Sequence, residues 1–259
     1  MAQILMITTK LKKASKSMEN DYRDSHLQQG KGKSYHATFT NEPYRRMVWQ
    51  FEKNILDNIL SIYYKDLEIN YLDFACGTGR ILTHLKRHAK VAVGVDLSPS
   101  MLEVARDNNK TVEIIEADLT RNDALGERKF NLITAFRFFP NAQPELQRQV
   151  MQVLTRHLSD NGCLVFNNHK NTACSRNRLL KILGRHGYTG MCDAEVKSLL
   201  TEAGLEIVKV YPLCVFPASE GLQLLPVSFL IPIETLLSKC RPIRNLGENL
   251  IYVCRKTKT

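Results

Sequence analysis

Two glycines and two aspartates stand in an order that suits a nucleotide-like ligand. Gly77 and Gly79 enclose Thr78 directly after an apolar segment, and a turn without side chains lets the backbone approach a bound molecule. The helix expected next would present unpaired N–H groups, which favour a carboxylate or a phosphate. Asp96 lies 17 residues beyond Gly79, where its carboxylate can accept hydrogen bonds from both hydroxyls of a ribose. Asp118 follows a later apolar segment, beside the expected position of an adenine.

Each of these features also has a simpler explanation. Tight turns need glycine where no ligand binds, and an aspartate at the end of a strand often caps a helix or turn. A dinucleotide fingerprint would have a third glycine where this chain has Leu82, and a phosphate-binding Gly-Lys-Ser/Thr loop is absent. It is the succession of turn and carboxylates that favours an adenosine site.

Two further residues are candidates for the chemistry. His169 follows the apolar segment Gly162 to Phe166, and histidine titrates at a pH suited to accepting a proton near neutrality. Arg137 follows another apolar segment and can bind an acidic substrate. A backbone-bonded loop histidine and a surface ion pair are the structural alternatives, and His36 competes with His169 as a base.

The elements that would position these residues alternate between strand and helix patterns. Pro43 suits the first turn of an amphipathic helix that ends near Lys65, and Ser98 and Asp193 are expected to cap later helices. Strands are predicted at Tyr71–Phe74, Val91–Val95, Thr111–Ile115, Phe130–Phe136, Gly162–Phe166, Leu205–Val210 and Leu250–Cys254. This alternation predicts an α/β fold with a largely parallel sheet, whose ligands bind beyond the carboxyl ends of the strands.

The chain divides into an arm and one domain. Residues 1–42 are polar and basic and are interpreted as an N-terminal arm or lid, whose Tyr35, His36, Tyr44 and Arg45 region could close over a ligand. Residues 43–259 form the expected domain, with an apolar insertion at about 211–248. Because residues from Leu222 to Leu237 are too apolar to lie in water, we expect this insertion to join the core, form a homodimer interface or line an apolar channel.

Composition narrows the functional classes. Seven cysteines without metal-ligand spacing and without a convincing signal peptide favour a cytoplasmic location, and no metal site is expected. The apolar stretch Leu222 to Ile233 is broken by proline and too short for a membrane span. The net charge of +10 raises the expectation of an anionic partner, including RNA, although no RNA-binding motif is recognisable.

Three successive motifs carry a family resemblance. Residues 72–80 read LDFACGTGR, residues 93–102 read VGVDLSPSML and residues 116–118 read EAD. In order and spacing they resemble the donor-binding motifs of class I S-adenosylmethionine-dependent methyltransferases, over roughly Tyr71 to His169. The resemblance implies a seven-stranded, mostly parallel, doubly wound Rossmann-like sheet with a final antiparallel strand, and S-adenosylmethionine as the cofactor.

The resemblance also assigns roles to residues. It implies that the glycine turn contacts the methionine part of the donor, that Asp96 holds the ribose, that Leu97 lines the adenine and that Asp118 accepts from its amine. Ala75 stands where glycine is commoner, and we expect ordinary backbone angles there, which alanine tolerates. The full set of expected cofactor-binding residues is Asp73, Ala75, Cys76, Gly77, Thr78, Gly79, Asp96, Leu97, Met101, Asp118, Leu119 and Phe136.

The acceptor is less constrained than the donor. The Asn/Asp-Pro-Pro-Tyr/Phe motif of amino-group methyltransferases is absent from Phe136 to Asn141, which favours an oxygen acceptor. The leading hypothesis is methylation of a small-molecule or a lipid- or glycan-linked acceptor. An RNA methyltransferase, and a methyltransferase-like binding protein without activity, are the alternatives.

Overall fold

The structure is a computed structural model that describes residues 22–23, 32, 37–39, 41–187, 189–218 and 225–258. Tyr35, His36 and Leu222, named above, lie outside the described residues. The helices are α1 (Pro43–Tyr63), α2 (Arg80–Leu85), α3 (Pro99–Asn108), α4 (Pro144–His157), α5 (Ser175–Ile182), α6 (Asp193–Glu202) and α7 (Val227–Leu237). The strands are β1 (Asn70–Phe74), β2 (Val91–Asp96), β3 (Glu113–Glu116), β4 (Phe130–Ala135), β5 (Leu158–Asn168), β6 (Leu205–Leu213) and β7 (Asn249–Lys256).

The strands form one seven-stranded sheet in the order β3-β2-β1-β4-β5-β7-β6. Neighbouring strands from β3 to β5 pair in parallel, whereas β7 pairs antiparallel with both β5 and β6. The α/β class, the mostly parallel sheet and the final antiparallel strand are therefore confirmed. Because β1 lies between β2 and β4, the chain order reverses there, and a crevice opens beyond the carboxyl ends of these strands.

Helices cover both faces of the sheet. Alternate residues of β1 divide between two buried clusters, since Leu72 packs with α4 and α6 while Tyr71 packs with α1 and α2. The predicted amphipathic helix α1 is present, but its inner face differs slightly from the pattern. Leu56 and Leu60 are buried, whereas Ile62, which the three- and four-residue spacing of apolar residues places on the inner face, lies in the last turn and is 58% exposed.

Two predicted helix caps are wrong in detail. Ser98 precedes α3, but its hydroxyl caps no N–H; instead its own backbone N–H donates to Asp96 Oδ1 at 2.8 Å. The residue before α6 is Cys192 rather than Asp193, and the Cys192 N–H donates to Glu195 Oε2 at 2.6 Å. In both cases the hydrogen-bond acceptor at the start of the helix is a different carboxylate, that of Asp96 or Glu195. The side chains of Ser98 and Asp193, which were expected to act as caps, do not accept these bonds.

The apolar insertion contains α7 and is only partly covered. Leu230 is buried against Met47 and Ala218, and the carboxylate of Glu234 accepts hydrogen bonds from Val215 N–H and Phe216 N–H. In contrast, Phe229 and Leu236 are 63% and 72% exposed. The expectation that the insertion is protected therefore holds for one side of α7, and for the other side protection by a homodimer interface stays a prediction.

Candidate active site

A cavity of about 350 Å³ lies beyond the carboxyl ends of β1, β2, β4 and β5. It is the position expected for a ligand of this sheet. Polar groups from four strand ends meet in it. The residues of the cavity that the sequence predicted are Ala75, Gly77, Asp96, Leu97, Met101, Asp118, Leu119, Phe136, Arg137 and His169.

Asp96 ties the end of β2 to the glycine turn. Its Oδ2 accepts a hydrogen bond from Gly77 N–H at 2.8 Å, while its Oδ1 accepts the Ser98 N–H. Gly77 has a φ of 55°, and a side chain added there would extend into open space. The turn therefore leaves room for a ligand above it. The expectation of free N–H groups is only partly met, because Gly77 N–H is bonded to Asp96 and Gly79 N–H to the Cys76 carbonyl.

Ala75 does not have the ordinary backbone angles expected for it. Its φ is 52°, in the left-handed region that favours glycine because it brings Cβ close to the backbone. This explains why glycine is the commoner residue here in the resembling family. The structure places the Ala75 methyl group at the wall of the cavity, where the strained backbone is held by the end of β1.

Asp118 is already engaged by a residue of the arm. Its Oδ1 accepts hydrogen bonds from Thr120, while Arg23 Nε lies 2.7 Å from its Oδ2. These contacts hold the pKa of the Asp118 carboxyl below its usual value despite the opposing effect of burial. Tyr22 packs its ring against Phe138, with centroids 5.5 Å apart. The described part of the arm thus closes one side of the cavity.

Four of the expected cofactor residues do not line the cavity. Cys76 packs against Leu102 and Ala105, and Thr78 and Gly79 lie within or behind the turn. Asp73 is fully buried beneath it, where its Oδ1 accepts a hydrogen bond from Thr134 Oγ1 at 2.6 Å. Burial raises the pKa of Asp73 to about 7. Asp73 therefore lies beneath the turn rather than in the cavity, where the sequence had placed it as a cofactor-binding residue.

Arg137 extends from a strained position after β4. Its φ is 61°, and the conformation is fixed by hydrogen bonds on both sides of the residue. The Arg137 N–H donates to Asn167 Oδ1 at 2.6 Å, and its carbonyl accepts from Asn141 Nδ2 at 2.6 Å. The guanidinium carbon lies 5.5 Å from the centre of the Phe39 ring. Strain of this kind persists only where the surroundings determine it, as they do here.

The acceptor of that N–H belongs to a buried polar chain. Asn167 Nδ2 donates to Asn249 Oδ1 at 3.0 Å, and Asn249 Nδ2 donates to Glu52 Oε1 at 3.1 Å. Arg80 Nη1 in turn donates to Glu52 Oε2 at 2.6 Å, and the two side chains form an ion pair. The chain joins α1, α2, β5 and β7 to the loop after β4, so the position of Arg137 depends on four separate elements.

His169 lies just beyond β5 and carries an unsatisfied atom. Its Nδ1 is buried and has no hydrogen-bond partner among the described residues. Burial, together with the positive charges of Arg137 and Lys170, holds the pKa of His169 well below 6.5. The imidazole is therefore neutral near pH 7, and it lines the cavity together with Arg137.

Several residues of the cavity were missed from the sequence. Lys170 directly follows His169, and its place after a predicted strand was a signal that could have found it. Tyr22 and Arg23 gave no signal, because their sequence separation from Asp118 and Phe138 is large and the arm has no pattern. Glu52 in α1 and Asn249 at the start of β7 do not line the cavity, and as buried polar residues of the chain behind Arg137 they gave no sequence signal.

The described residues contain neither a membrane-crossing helix nor a metal-binding cluster. In this part of the chain, no helix combines the length and the apolar character that crossing a bilayer requires. Over the same residues, His, Cys, Asp and Glu side chains do not gather in threes at a spacing that would hold a metal ion.

Comparison with known proteins agrees with the fold and with the motifs. Residues 72–162 match a family described as a methyltransferase domain. No curated protein matches the chain. The matched residues run from β1 into β5 and include the glycine turn, Asp96 and Asp118.

Solved structures of methyltransferases share the overall fold. Magnesium protoporphyrin IX methyltransferase from Synechocystis PCC 6803, with bound S-adenosylmethionine, has a TM-score of 0.59 at 12% identity, covering 92% of this chain and 98% of that one. A S-adenosylmethionine-dependent methyltransferase from Clostridium acetobutylicum has a TM-score of 0.54 at 16% identity, covering 87% and 98%. The N-methyltransferase NodS from Bradyrhizobium japonicum, in complex with S-adenosylhomocysteine, has a TM-score of 0.52 at 13% identity, covering 85% and 91%.

Proposed function

Because the chain carries a class I S-adenosylmethionine-dependent methyltransferase domain, we propose that it methylates a small-molecule or a lipid- or glycan-linked acceptor on oxygen. The observation that carries the proposal is one cavity lined by two strand-end carboxylates and by His169, whose Nδ1 is unsatisfied. The first pair suits an adenosine, and the imidazole suits an acceptor hydroxyl. None of the seven cysteines forms a disulfide, which supports the proposed cytoplasmic location.

The donor side of the cavity fits S-adenosylmethionine. Asp96 would hold the ribose hydroxyls, and Asp118 would accept from the adenine amine beside Leu97 and Leu119. The space above Gly77 would take the methionine part, because no protein atom lies within 4 Å of the position that a side chain would occupy. Met101 and Phe136 add apolar walls, as is usual for pockets of this kind.

The acceptor side supplies orientation and a base. S-adenosylmethionine provides a methyl group on a cationic sulfonium, so the protein needs mainly to align the acceptor and, for a hydroxyl, to remove its proton. Neutral His169 can take that proton on Nδ1 without first losing one of its own. Phe138, packed edge-on against Phe74 at 5.1 Å, gives the acceptor an apolar wall, and the closed arm limits the entry of water.

Donor binding and methyl transfer are tested separately. Calorimetry measures the affinity for S-adenosylmethionine and S-adenosylhomocysteine, and binding to neither would refute the proposal. The protein is then incubated with a donor carrying a deuterated methyl group and with fractionated small molecules, lipids and RNA. Label in a small-molecule or lipid product supports the proposal. Label only in RNA favours the RNA methyltransferase, and donor binding without label in any fraction favours a binding protein.

A further inference from the structure

Three basic side chains line the side of the cavity away from Asp96 and Asp118. We call Arg137, His169 and Lys170 the cationic wall. Arg137 follows β4, and the other two follow β5. Because β4 and β5 are one and two places beyond β1 in the sheet, and adjacent strands are about 4.8 Å apart, the cationic wall lies beyond the glycine turn rather than above it. This is the acceptor side of the cavity.

The cationic wall has no counter-charge in the part of the chain that the structure describes. Arg23 and Arg80 are each paired with a carboxylate, at 2.7 Å and 2.6 Å. Arg137 makes a cation–π contact with Phe39 but forms no ion pair with a described residue, and the same is true of the Lys170 ammonium. Partly buried cations normally find an anion, since their desolvation is costly without one.

The charges of the cationic wall also act on each other. Burial, followed by the charge of Arg137, holds the pKa of the Lys170 ammonium below its usual value, and the same causes act on His169. These pKa shifts indicate that the positive charge of Arg137 repels a positive charge on Lys170 or His169 in the folded protein. An anion placed between Arg137 and Lys170 would remove that repulsion and leave the His169 nitrogen to accept a hydrogen bond from a hydroxyl.

The backbone geometry indicates that Arg137 is positioned in advance. The left-handed conformation of Arg137 is maintained by Asn167 and Asn141, and Phe39 packs against its guanidinium. A guanidinium fixed in this way can meet two oxygens of a planar oxyanion at once. Little side-chain entropy remains to be lost when the anion binds.

We propose that the cationic wall binds an oxyanion, a carboxylate or a phosphate, carried by the methyl acceptor. The inference rests on the proposed function, since it names the acceptor class of the same site. Arg137 and Lys170 bind the oxyanion, and this contact places a hydroxyl of the same acceptor beside His169 Nδ1. Acceptors that lack the anionic group lose this alignment.

The test uses benzoate, phenyl phosphate and the neutral benzamide as probes, with and without S-adenosylhomocysteine, followed by ligand-observed nuclear magnetic resonance. We expect at least one of the two anions to bind at least tenfold more tightly than benzamide, and whichever binds identifies carboxylate or phosphate as the group. Arg137→Met and Lys170→Met should each weaken that binding at least fivefold, whereas Arg137→Lys should restore part of it. Lys90→Met, which removes an exposed cation at the opposite end of β2, should leave binding unchanged.

Three outcomes would overturn the inference: benzamide binding as well as the anions, no binding of either anion, or unchanged anion binding in the Arg137→Met Lys170→Met double variant. If the double variant instead loses affinity for S-adenosylhomocysteine but not for 5′-methylthioadenosine, the cationic wall holds the carboxylate of the donor and the inference is wrong. Thermal melting of each variant verifies folding, and Arg137→Lys remains informative if the methionine variants unfold. If the wild-type protein does not bind S-adenosylmethionine or S-adenosylhomocysteine, the proposed function is refuted. The oxyanion site is still tested in that case, because the anion titrations are also made without S-adenosylhomocysteine.

Discussion

The backbone N–H of Arg137 donates to the side-chain oxygen of Asn167 at 2.6 Å. This hydrogen bond holds the left-handed backbone conformation of Arg137 at the wall of the cavity. Asn167 is fully buried, and its other side-chain atom donates to Asn249. Asn167 is therefore a positioning residue that acts on the acceptor side through Arg137. Its oxygen and its nitrogen have separate partners, so their effects can be separated.

We expect Asn167→Ala to lose oxyanion binding, because nothing then holds the Arg137 N–H, and to cost about 1–3 kcal/mol of stability. Asn167→Asp keeps an oxygen for that N–H, but it replaces the donor to Asn249 with a buried carboxylate oxygen. Oxyanion affinity measured on both variants distinguishes positioning from stability alone. Equal losses in the two variants would contradict the positioning role.

Asp96→Ala should weaken binding of S-adenosylhomocysteine by about 1–3 kcal/mol, because the ribose hydroxyls would lose a charged acceptor. Calorimetry measures the change. The matched control is Asp160→Ala, since Asp160 is 94% exposed and pairs only with Lys256 far from the cavity. An unchanged affinity in a folded Asp96 variant would remove the ribose assignment.

His169→Ala should lower turnover by about 10²–10⁴-fold and leave donor affinity unchanged, as removal of a general base does. The acid limb of kcat/KM should fall well below pH 6.5, because the free His169 titrates there. An oxyanion bound beside it favours the protonated imidazole, so the acid limb of kcat should lie at higher pH than that of kcat/KM. If the acid limbs of kcat and kcat/KM coincide, either the general-base role of His169 or the binding of an oxyanion beside it is contradicted.

Asp73 should make stability depend on pH. Its pKa is raised to about 7 in the folded protein, above the unfolded value, so its contribution is complete below about pH 4 and is lost as pH rises through 7. Asp73→Asn does not titrate. Relative to wild type, we expect the variant to gain about 1–3 kcal/mol in free energy of unfolding between pH 5 and pH 8, by urea denaturation. A constant difference across this range would show that Asp73 stays ionised.

Two neighbours on α7 test the role of the insertion. Leu230→Ala should cost about 2–4 kcal/mol, because Leu230 is 2% exposed against Met47 and Ala218. Phe229→Ser should leave the melting temperature of the monomer nearly unchanged, since Phe229 is 63% exposed. If the exposed side of α7 is a dimer interface, sedimentation will show dissociation of the Phe229 variant. Equal destabilisation by both variants would contradict this description of α7.

The sequence predicted the sheet, and the meeting of Gly77, Asp96 and Asp118 at one cavity, because both depend on local patterns. Apolar segments that end in Gly77, Asp96 and Asp118 indicate strand ends, and parallel strands bring their ends together. The positive φ of Ala75 and the contact between Arg23 and Asp118 were not predictable, since each depends on tertiary contacts. Similarly, the pattern of α7 showed that it must be covered, but not which side a partner would have to cover.

The placement of β7 has a consequence for the order in which the protein matures during synthesis. The strands β5 and β6 leave the ribosome before β7, although β7 separates them in the finished sheet and β6 pairs only with it. Until residues 249–256 emerge, β5 presents an open edge, which is the kind of edge that recruits other chains. Asn249 arrives with the same strand, so Asn167 lacks its partner until then. The Asn167 side chain that holds the Arg137 N–H thus gains its full set of partners only after the last strand has inserted.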